Sequence, residues 1–279
     1  MSIELPEARI LAEQMNETLL GKRIRSYRLQ HVENLQRIGF MNKDAKSFDQ
    51  LVNGKIEAVV SRGNVIRVKL DRGMNLILAP EYGGKILYHS DNNPIQEEYH
   101  LRVDFSDDTA LTVRLTGMGG IYALKDDELG RCYVYRRDFS EVLSPADEKA
   151  FTLERFSKFL ASKNTSLKSV LVGKDAVVVG LGNTTFQDIL YRAKIYPRRK
   201  ASELNENVKH ALYDAIRLVL QERTRLGGKK QFIDLYGKQG KYTSAMGSNI
   251  KTCTVCGASI EKLSLGGGQT HFCPKCQKR

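Results

Sequence analysis

Four cysteines near the end of the chain have the spacing of a metal site. Cys253 and Cys256 form one Cys-x-x-Cys pair, and Cys273 and Cys276 form a second pair after sixteen intervening residues. Each pair can bind one side of a tetrahedral ion, and four thiolates favour structural zinc with no open position. A disulfide framework is the weaker account because the chain has one other cysteine, Cys132. We expect zinc to fold a hairpin too small to have its own core.

A glycine-rich turn before a predicted helix has the chemistry of a phosphate site. In "GLGNTTFQDILYRAKIYPRRK", Gly180 and Gly182 permit a tight turn, and Asn183 suits the helix cap. The helix that follows presents free backbone N–H groups at its positive end. Basic residues follow the turn: Arg192, Lys194, Arg198, Arg199 and Lys200. Taken alone, the turn is weak evidence for a phosphate site, since most such turns only join two helices.

Two carboxylates, Glu4 and Glu7, flank Pro6 at the chain start. Pro6 suits the first helical position, and Glu7 suits the positive end of the helix dipole. A helix therefore explains Pro6 and Glu7 but does not explain Glu4, which becomes a candidate for chemistry. The alternative for Glu4 is a solvated carboxylate on a frayed chain end.

Composition limits the class of protein in which these residues act. The chain has 279 residues, of which 41% are hydrophobic, and its apolar runs are far shorter than the roughly 20 residues of a membrane span. The start lacks a basic region followed by a long apolar run, so we expect no secretory signal and a cytoplasmic protein.

The net charge of +12 is concentrated in the second half of the chain. From residue 151 onward, 23 Lys and Arg face 9 Asp and Glu, whereas the preceding residues have 21 against 23. This distribution favours a polyanionic partner such as nucleic acid, although a solvated basic surface would give the same count.

The elements that position these residues follow from hydrophobic periodicity. Residues 6 to 20 have a helical stripe, and residues 22 to 124 have short alternating runs broken by turns, which indicates a β-sandwich or barrel. Helical spacing returns after a linker near residues 140 to 150. We expect an α+β multidomain protein with a β-sandwich domain and flanking helix (1–140), a helical domain (150–246) and a small metal-bound hairpin (247–279).

In this order the motifs resemble the formamidopyrimidine-DNA glycosylase and endonuclease VIII family of base-excision repair enzymes. The resemblance covers "ELPEAR", the β-sandwich, "GLGNTTFQDILYRAKIYP" as a helix-two-turn-helix, and "CTVCG" with "THFCPKCQ" as a closing zinc finger. It implies a two-domain clamp that holds damaged duplex DNA in a cleft, flips a base out and cuts its glycosidic bond. We expect the protein to act as a monomer with no membrane partner.

The family's nucleophile is the amine of an N-terminal proline that is followed by a proton-transferring glutamate. A terminal α-amine suits this role because its pKa, about 8, lies well below that of lysine. Glu4 matches the glutamate, and Ile3 occupies the proline position. Removal of Met1 would expose the Ser2 amine one residue farther from Glu4. We therefore assign Glu4 and Ser2 as catalytic candidates.

Other matched positions also depart from the family pattern. Asn64 stands where the family has a lysine that contacts phosphate, and Gly268 stands at the arginine of the zinc-finger hairpin. In the family, one loop inserts side chains into the duplex as wedges, and here that loop is "TGMGGIY". Tyr82 falls near the family's methionine wedge. It could fill the space that a flipped base leaves in the stack, or be an ordinary turn aromatic. The residues assigned to DNA binding are Asn183, Gly182, Arg192, Arg198, Arg199, Lys174 and Tyr82.

Three hypotheses remain for the function. The first is a glycosylase with altered or weakened catalysis, in which Glu4 activates water or the Ser2 amine attacks. The second is a paralogue that only binds damaged or distorted duplex DNA. The third, a zinc-ribbon protein that binds RNA, requires the end-to-end resemblance to be coincidental. Retention of Glu4 favours the first, and the altered residues Ile3, Asn64 and Gly268 favour the second.

Overall fold

The computed structural model describes residues 3–81, 83–90, 98–139, 142–173 and 176–278. The chain divides into two compact units, which are described separately. The first unit contains Met1–Ser140 and Gly227–Lys241, and the second contains Glu141–Leu226 and Tyr242–Arg279. No helix among the described residues is long and apolar enough to cross a membrane.

The first unit opens with a helix and continues as two antiparallel four-stranded sheets. One sheet has the order β1-β6-β7-β5 and the other the order β2-β3-β4-β8. The helices are α1 (Leu5–Leu19), α2 (Val32–Arg37) and α3 (Tyr133–Asp138). The strands are β1 (Ile24–Leu29), β2 (Ile56–Arg62), β3 (Val65–Leu70), β4 (Met74–Ala79), β5 (Lys85–His89), β6 (Leu101–Phe105), β7 (Ala110–Arg114) and β8 (Gly120–Lys125).

Apolar residues from both sheets and from α1 form one core, which confirms the predicted β-sandwich with its flanking helix. The predicted stripe of α1 is buried in this core: Ala8, Leu11, Ala12, Met15 and Leu19. Every residue of β4 is buried, because α3 and the turn before it cover the outer face of its sheet. This is why "MNLILA" has an unbroken apolar pattern instead of alternation.

Residues 227–241 differ from the sequence-based division, which placed them in the helical domain. They return to the first unit, where Phe232 and Leu235 are buried in its core. The N–H of Tyr88, in the edge strand β5, donates to the carbonyl of Leu235 (2.9 Å). The segment therefore covers an otherwise open sheet edge, an arrangement that pairs residues far apart in sequence.

The second unit is helical and ends in a two-stranded hairpin, as the sequence predicts. Its helices are α4 (Leu153–Ala161), α5 (Leu167–Val172), α6 (Asn183–Arg192) and α7 (Glu206–Arg225). The hairpin pairs β9 (Glu261–Leu265) with β10 (Gly268–Phe272). Caps at Thr152, Ser166 and Asn205 accept backbone N–H groups and so fix the starts of α4, α5 and α7.

Candidate functional site

The chain start is held against the sandwich rather than frayed. The Ile3 N–H donates to the carbonyl oxygen of Glu81 (2.7 Å), and the Ile3 side chain is buried. Glu4, with extended backbone, is the N-cap of α1 and is only 2% exposed. Its carboxylate is therefore not the solvated group of the alternative interpretation, and it lies at the positive end of a 15-residue helix.

Glu7 serves the helix, as the sequence predicts. One carboxylate oxygen accepts the Glu4 N–H (3.2 Å), and the other accepts the backbone N–H of Lys229 (3.1 Å). Glu7 is fully buried and is thus committed to holding backbone groups. The capping box is reciprocal, because the Glu4 side chain in turn accepts the backbone N–H of Glu7.

Asn64, at the family's lysine position, lies in the turn between β2 and β3. Its side-chain oxygen accepts from Arg137 Nη2 (2.5 Å), and its backbone N–H donates to Asp138 Oδ2 (2.8 Å). Burial disfavours the charge of Arg137, but the hydrogen bond to Asp138 and the charges of Asp138 and Glu81 raise the pKa of its guanidinium overall. The sequence pattern pointed to none of these partners.

In the second unit, Gly182 and Asn183 lie where α6 begins. Gly182 is the N-cap and Asn183 the first helical residue, one position later than the cap predicted for it. The Asn183 side chain is used elsewhere: Oδ1 accepts from Lys168 Nζ, and Nδ2 donates to the backbone oxygen of Gln269 (3.1 Å). Asn183 thus links α5 and α6 to the hairpin of the zinc finger.

The basic residues after this turn have different surroundings. Arg192 forms ion pairs with Glu222 (2.9 Å) and Asp188 (3.5 Å), so carboxylates within the protein balance much of its positive charge. The pKa of buried Asp188 is raised, because desolvation outweighs its contacts with Tyr242 and Arg192. Arg198 is exposed and lies 3.5 Å from the backbone oxygen of Ser264, while Arg199 is partly exposed.

The four cysteines predicted as metal ligands converge. Their sulfur atoms all lie within 4.8 Å of one another, with Cys253 and Cys276 at 3.7 Å and Cys256 and Cys273 at 3.4 Å. Four thiolates around zinc at 2.3 Å stand about 3.8 Å apart, so the cluster fits a tetrahedral ion. It is a structural zinc site, as the sequence predicts.

Polar contacts dock the zinc finger onto the helices. Gln277 accepts the Cys273 N–H (2.8 Å) and donates to the carbonyl of Ile195 (2.9 Å). Gln187 of α6 accepts the His271 N–H (2.7 Å). Tyr191 places its hydroxyl 3.1 Å from Cys253 Sγ, a contact that orients a metal ligand from outside the coordination shell.

Gly268, at the family's arginine position, lies beside Asn183. A side-chain carbon added at Gly268 would stand 4.0 Å from Asn183 Nδ2. The residue that contributes a cation there is Lys168 of α5, which is buried and lies 4.8 Å from the centre of the Phe186 ring. The sequence pattern did not single out Lys168, because its partners are brought to it by folding.

Three predicted site residues, Ser2, Tyr82 and Lys174, lie outside the described residues. Their assignments stay predictions. In the wedge-loop segment, Met118 is 53% exposed. Cys132 lies outside the zinc cluster and is a free, partly buried cysteine.

Models of three related domains match the chain from end to end. The formamidopyrimidine-DNA glycosylase N-terminal domain matches residues 3–117, and the formamidopyrimidine-DNA glycosylase H2TH domain matches residues 143–233. The zinc finger found in FPG and IleRS matches residues 251–279. The matches follow the order of the β-sandwich, the helices and the cysteine cluster.

Relatives and solved structures agree over nearly the whole chain. Formamidopyrimidine-DNA glycosylases of Streptococcus pneumoniae (strain TIGR4) and Brevibacillus brevis are 29% and 28% identical, with 99% of each chain covered. The structure of MutM in complex with carbocyclic 8-oxo-G containing DNA is 26% identical, with a TM-score of 0.80 over 99% of this chain and 100% of the other. Lactococcus lactis Fpg in complex with abasic-site DNA, 24% identical, shares the fold with a TM-score of 0.84 over 99% and 100% of the two chains.

Proposed function

Because the chain belongs to the formamidopyrimidine-DNA glycosylase family, we propose that it is a base-excision repair enzyme that removes an oxidised base from duplex DNA by altered chemistry. The observation that supports this proposal is the position of Glu4. It matches the family's glutamate, is buried, and follows a residue whose backbone is held by Glu81. A carboxylate fixed in this way can move a proton at a defined place.

The chemistry follows from the bond that is broken. Cleavage of a glycosidic bond leaves positive charge on the sugar, while the base departs with the bonding electrons. Glu4 lies at the positive end of α1. This carboxylate stabilises the developing charge and accepts a proton from a water molecule, whose oxygen bonds to the sugar carbon.

The water route is favoured over attack by a chain-terminal amine. With Ile3 in the proline position, no proline amine directly precedes Glu4, and the candidate amine is that of Ser2, one residue farther away. A displacement of about 1 Å already costs about a hundredfold in rate. We therefore propose base release with weak or absent lyase activity.

DNA binding is assigned to the start of α6 and to two arginines that follow the helix. The first backbone N–H groups of the helix, from Asn183 onward, present donors to a phosphate, and Arg198 and Arg199 add charge. The proposed partner is a lesion-bearing duplex, bound by a monomer. The structural zinc keeps the hairpin next to Asn183.

The first experiment uses duplexes that carry an oxidised purine, an oxidised pyrimidine or an abasic site. Protein with its authentic N terminus is incubated with each duplex, and strand breaks are resolved with and without hot alkali. Breaks that require alkali are expected, since base hydrolysis alone leaves the backbone intact. Breaks without alkali would instead establish a lyase, and would contradict the water route.

Glu4→Gln tests the residue on which the proposal depends. It keeps the size of the side chain and removes the carboxylate, so base release is expected to fall about a hundredfold or more. Glu17→Gln is the matched control, because Glu17 is an exposed glutamate of the same helix. Equal activity of both variants would exclude Glu4 from the chemistry.

A second candidate is a protein that binds damaged duplex DNA without cutting it. It is favoured by Asn64, whose side-chain oxygen is occupied by Arg137, and by Gly268, which brings no side chain to Asn183. Tight binding of a lesion duplex with no base release on any substrate would select this candidate.

A further inference from the structure

A cluster of charged residues at the end of α3 has no role in the chemistry described above. The half-buried guanidinium of Arg137 donates from Nε to Asp138 Oδ1 (2.6 Å) and from Nη1 to Glu81 Oε1 (2.8 Å). Its Nη2 donates to Asn64 Oδ1 (2.5 Å). One planar side chain thus joins α3, the β2–β3 turn and the segment after β4, which a lysine could not do with the same geometry.

The β2–β3 turn is built to receive the carboxylate of Asp138. Asp138 is 2% exposed, and its Oδ2 accepts the backbone N–H of Asn64 (2.8 Å). Gly63 has a φ of +60°, and a Cβ there would lie 2.3 Å from the same oxygen. The turn therefore needs glycine both for its backbone and for this contact. A lysine at position 64 would bring a second cation to Arg137, whereas the neutral side chain of Asn64 accepts a hydrogen bond from it.

The cluster connects to the chain start through a single residue. Glu81 binds Arg137 with its side chain and accepts the Ile3 N–H with its carbonyl oxygen (2.7 Å). The side chain of Glu81 is 16% exposed, so its ion pair with Arg137 is shielded from solvent. Ile3 is followed directly by Glu4, the N-cap of α1.

We propose that Arg137 is a positioning residue for the reaction at the chain start. Arg137 holds Glu81, Glu81 holds Ile3, and the position of Glu4 is fixed as a result. This inference rests on the proposed function, because it concerns the geometry of the proposed catalytic carboxylate. It also gives Asn64 a role inside the protein, in place of the phosphate contact made by the family's lysine.

The test compares Arg137→Met, Arg137→Lys and Glu81→Gln with the matched control Arg136→Met, an exposed arginine of the same helix. Three quantities are measured in the full-length protein. They are hydrogen–deuterium exchange of the Ile3 amide followed by nuclear magnetic resonance, single-turnover base release, and affinity for a duplex with a tetrahydrofuran abasic analogue.

In Arg137→Met, the Ile3 amide is expected to exchange faster and base release to slow by about a hundredfold, because Glu4 is displaced. Affinity for the tetrahydrofuran duplex is expected to change little. Arg137→Lys keeps the charge but only part of the geometry, so it should restore an intermediate rate. Glu81→Gln should act in the same direction and remains informative if Arg137→Met fails to fold.

Two results would overturn the inference. Unchanged exchange of Ile3 in Arg137→Lys and Glu81→Gln would show that the cluster does not hold the chain start. A parallel loss of rate, duplex affinity and salt dependence would make Arg137 a phosphate contact. If Ile3 exchanges faster in the variants but the wild-type protein releases no base, the proposed function is contradicted and the inference about the chain start is not. The two failures are therefore distinguishable.

Discussion

At the residue scale, Glu4 and Glu7 show how far a local motif can be interpreted. The sequence assigned Glu7 to the helix and separated Glu4 from it, and the structure agrees for Glu7. It could not predict that Glu7 also accepts the N–H of Lys229, because that partner is 222 residues away. The same limit applies to Arg137, whose contacts lie in three segments distant in sequence.

A terminal proline can be restored by deleting Ser2 and changing Ile3→Pro, since removal of Met1 then exposes the proline amine next to Glu4. This secondary amine keeps a hydrogen for the carbonyl of Glu81, so the terminus can stay in place. We expect the variant to gain a Schiff base with an abasic duplex, trapped by borohydride.

Deletion of Ser2 with Ile3→Ala is the matched control, because alanine also permits removal of Met1 but leaves a primary amine. It should give less trapped complex than the proline variant. No trapped complex from the proline variant would place the chain terminus outside the reaction site.

Asn183→Ala tests the part of the Asn183 side chain in duplex binding. The change removes the donor to Gln269 and the acceptor for Lys168, and we expect duplex affinity to fall by about 1–3 kcal/mol. Affinity is measured by titration of a fluorescent duplex, together with the thermal midpoint. Asn207→Ala, an exposed asparagine on α7, is the control; an equal loss there would rule out a specific contact.

At the scale of elements, the strands and helices were largely predictable but their neighbours were not. Seven strands of the sandwich coincide with short apolar-rich runs in the sequence, whereas β5 does not stand out. β5 has five residues, of which Ile86 alone is buried, so its pattern is hard to distinguish from that of a turn. Its pairing with the segment at Leu235 is set by tertiary structure.

Loss of zinc should disconnect the hairpin from α6. Cys256 is exposed, so Cys256→Ser removes a ligand with little loss of packing. We expect weaker zinc binding and lower duplex affinity, because Gln269 is no longer held at Asn183, while the sandwich keeps its fold. Metal content, far-ultraviolet circular dichroism and duplex titration measure these effects.

Cys132→Ser is the matched control, since Cys132 is a free cysteine in the first unit and lies outside the metal cluster. It should retain one zinc per chain and the affinity of the wild type. If Cys256→Ser bound duplex DNA as tightly as this control, the hairpin would have no part in binding.

At the scale of the whole molecule, charge is distributed by unit. Lys and Arg outnumber Asp and Glu by 20 to 11 in the second unit and by 24 to 21 in the first. The sequence predicted the basic second half but could not tell which cations are paired. Arg192 has internal partners, whereas Arg198 is exposed to solvent.

Removal of both charges, Arg198→Gln with Arg199→Gln, should flatten the salt dependence of duplex binding. Each phosphate contact adds about 0.9 to the slope of log K against log salt, so a decrease of about 2 is expected. Lys43→Gln with Lys46→Gln neutralises two exposed lysines of the first unit as a control. Equal slopes for the two double variants would contradict the assignment.

The return of residues 227–241 to the first unit bears on how the protein is made on the ribosome. At the chain start, the backbone N–H of Lys229 donates a hydrogen bond to the Glu7 carboxylate. The hydrophobic core of the first unit includes Phe232 and Leu235. A nascent chain that has emerged only as far as α7 therefore lacks part of the structure around Glu4. The chain start is completed late in synthesis, after α4 to α7 have left the exit tunnel.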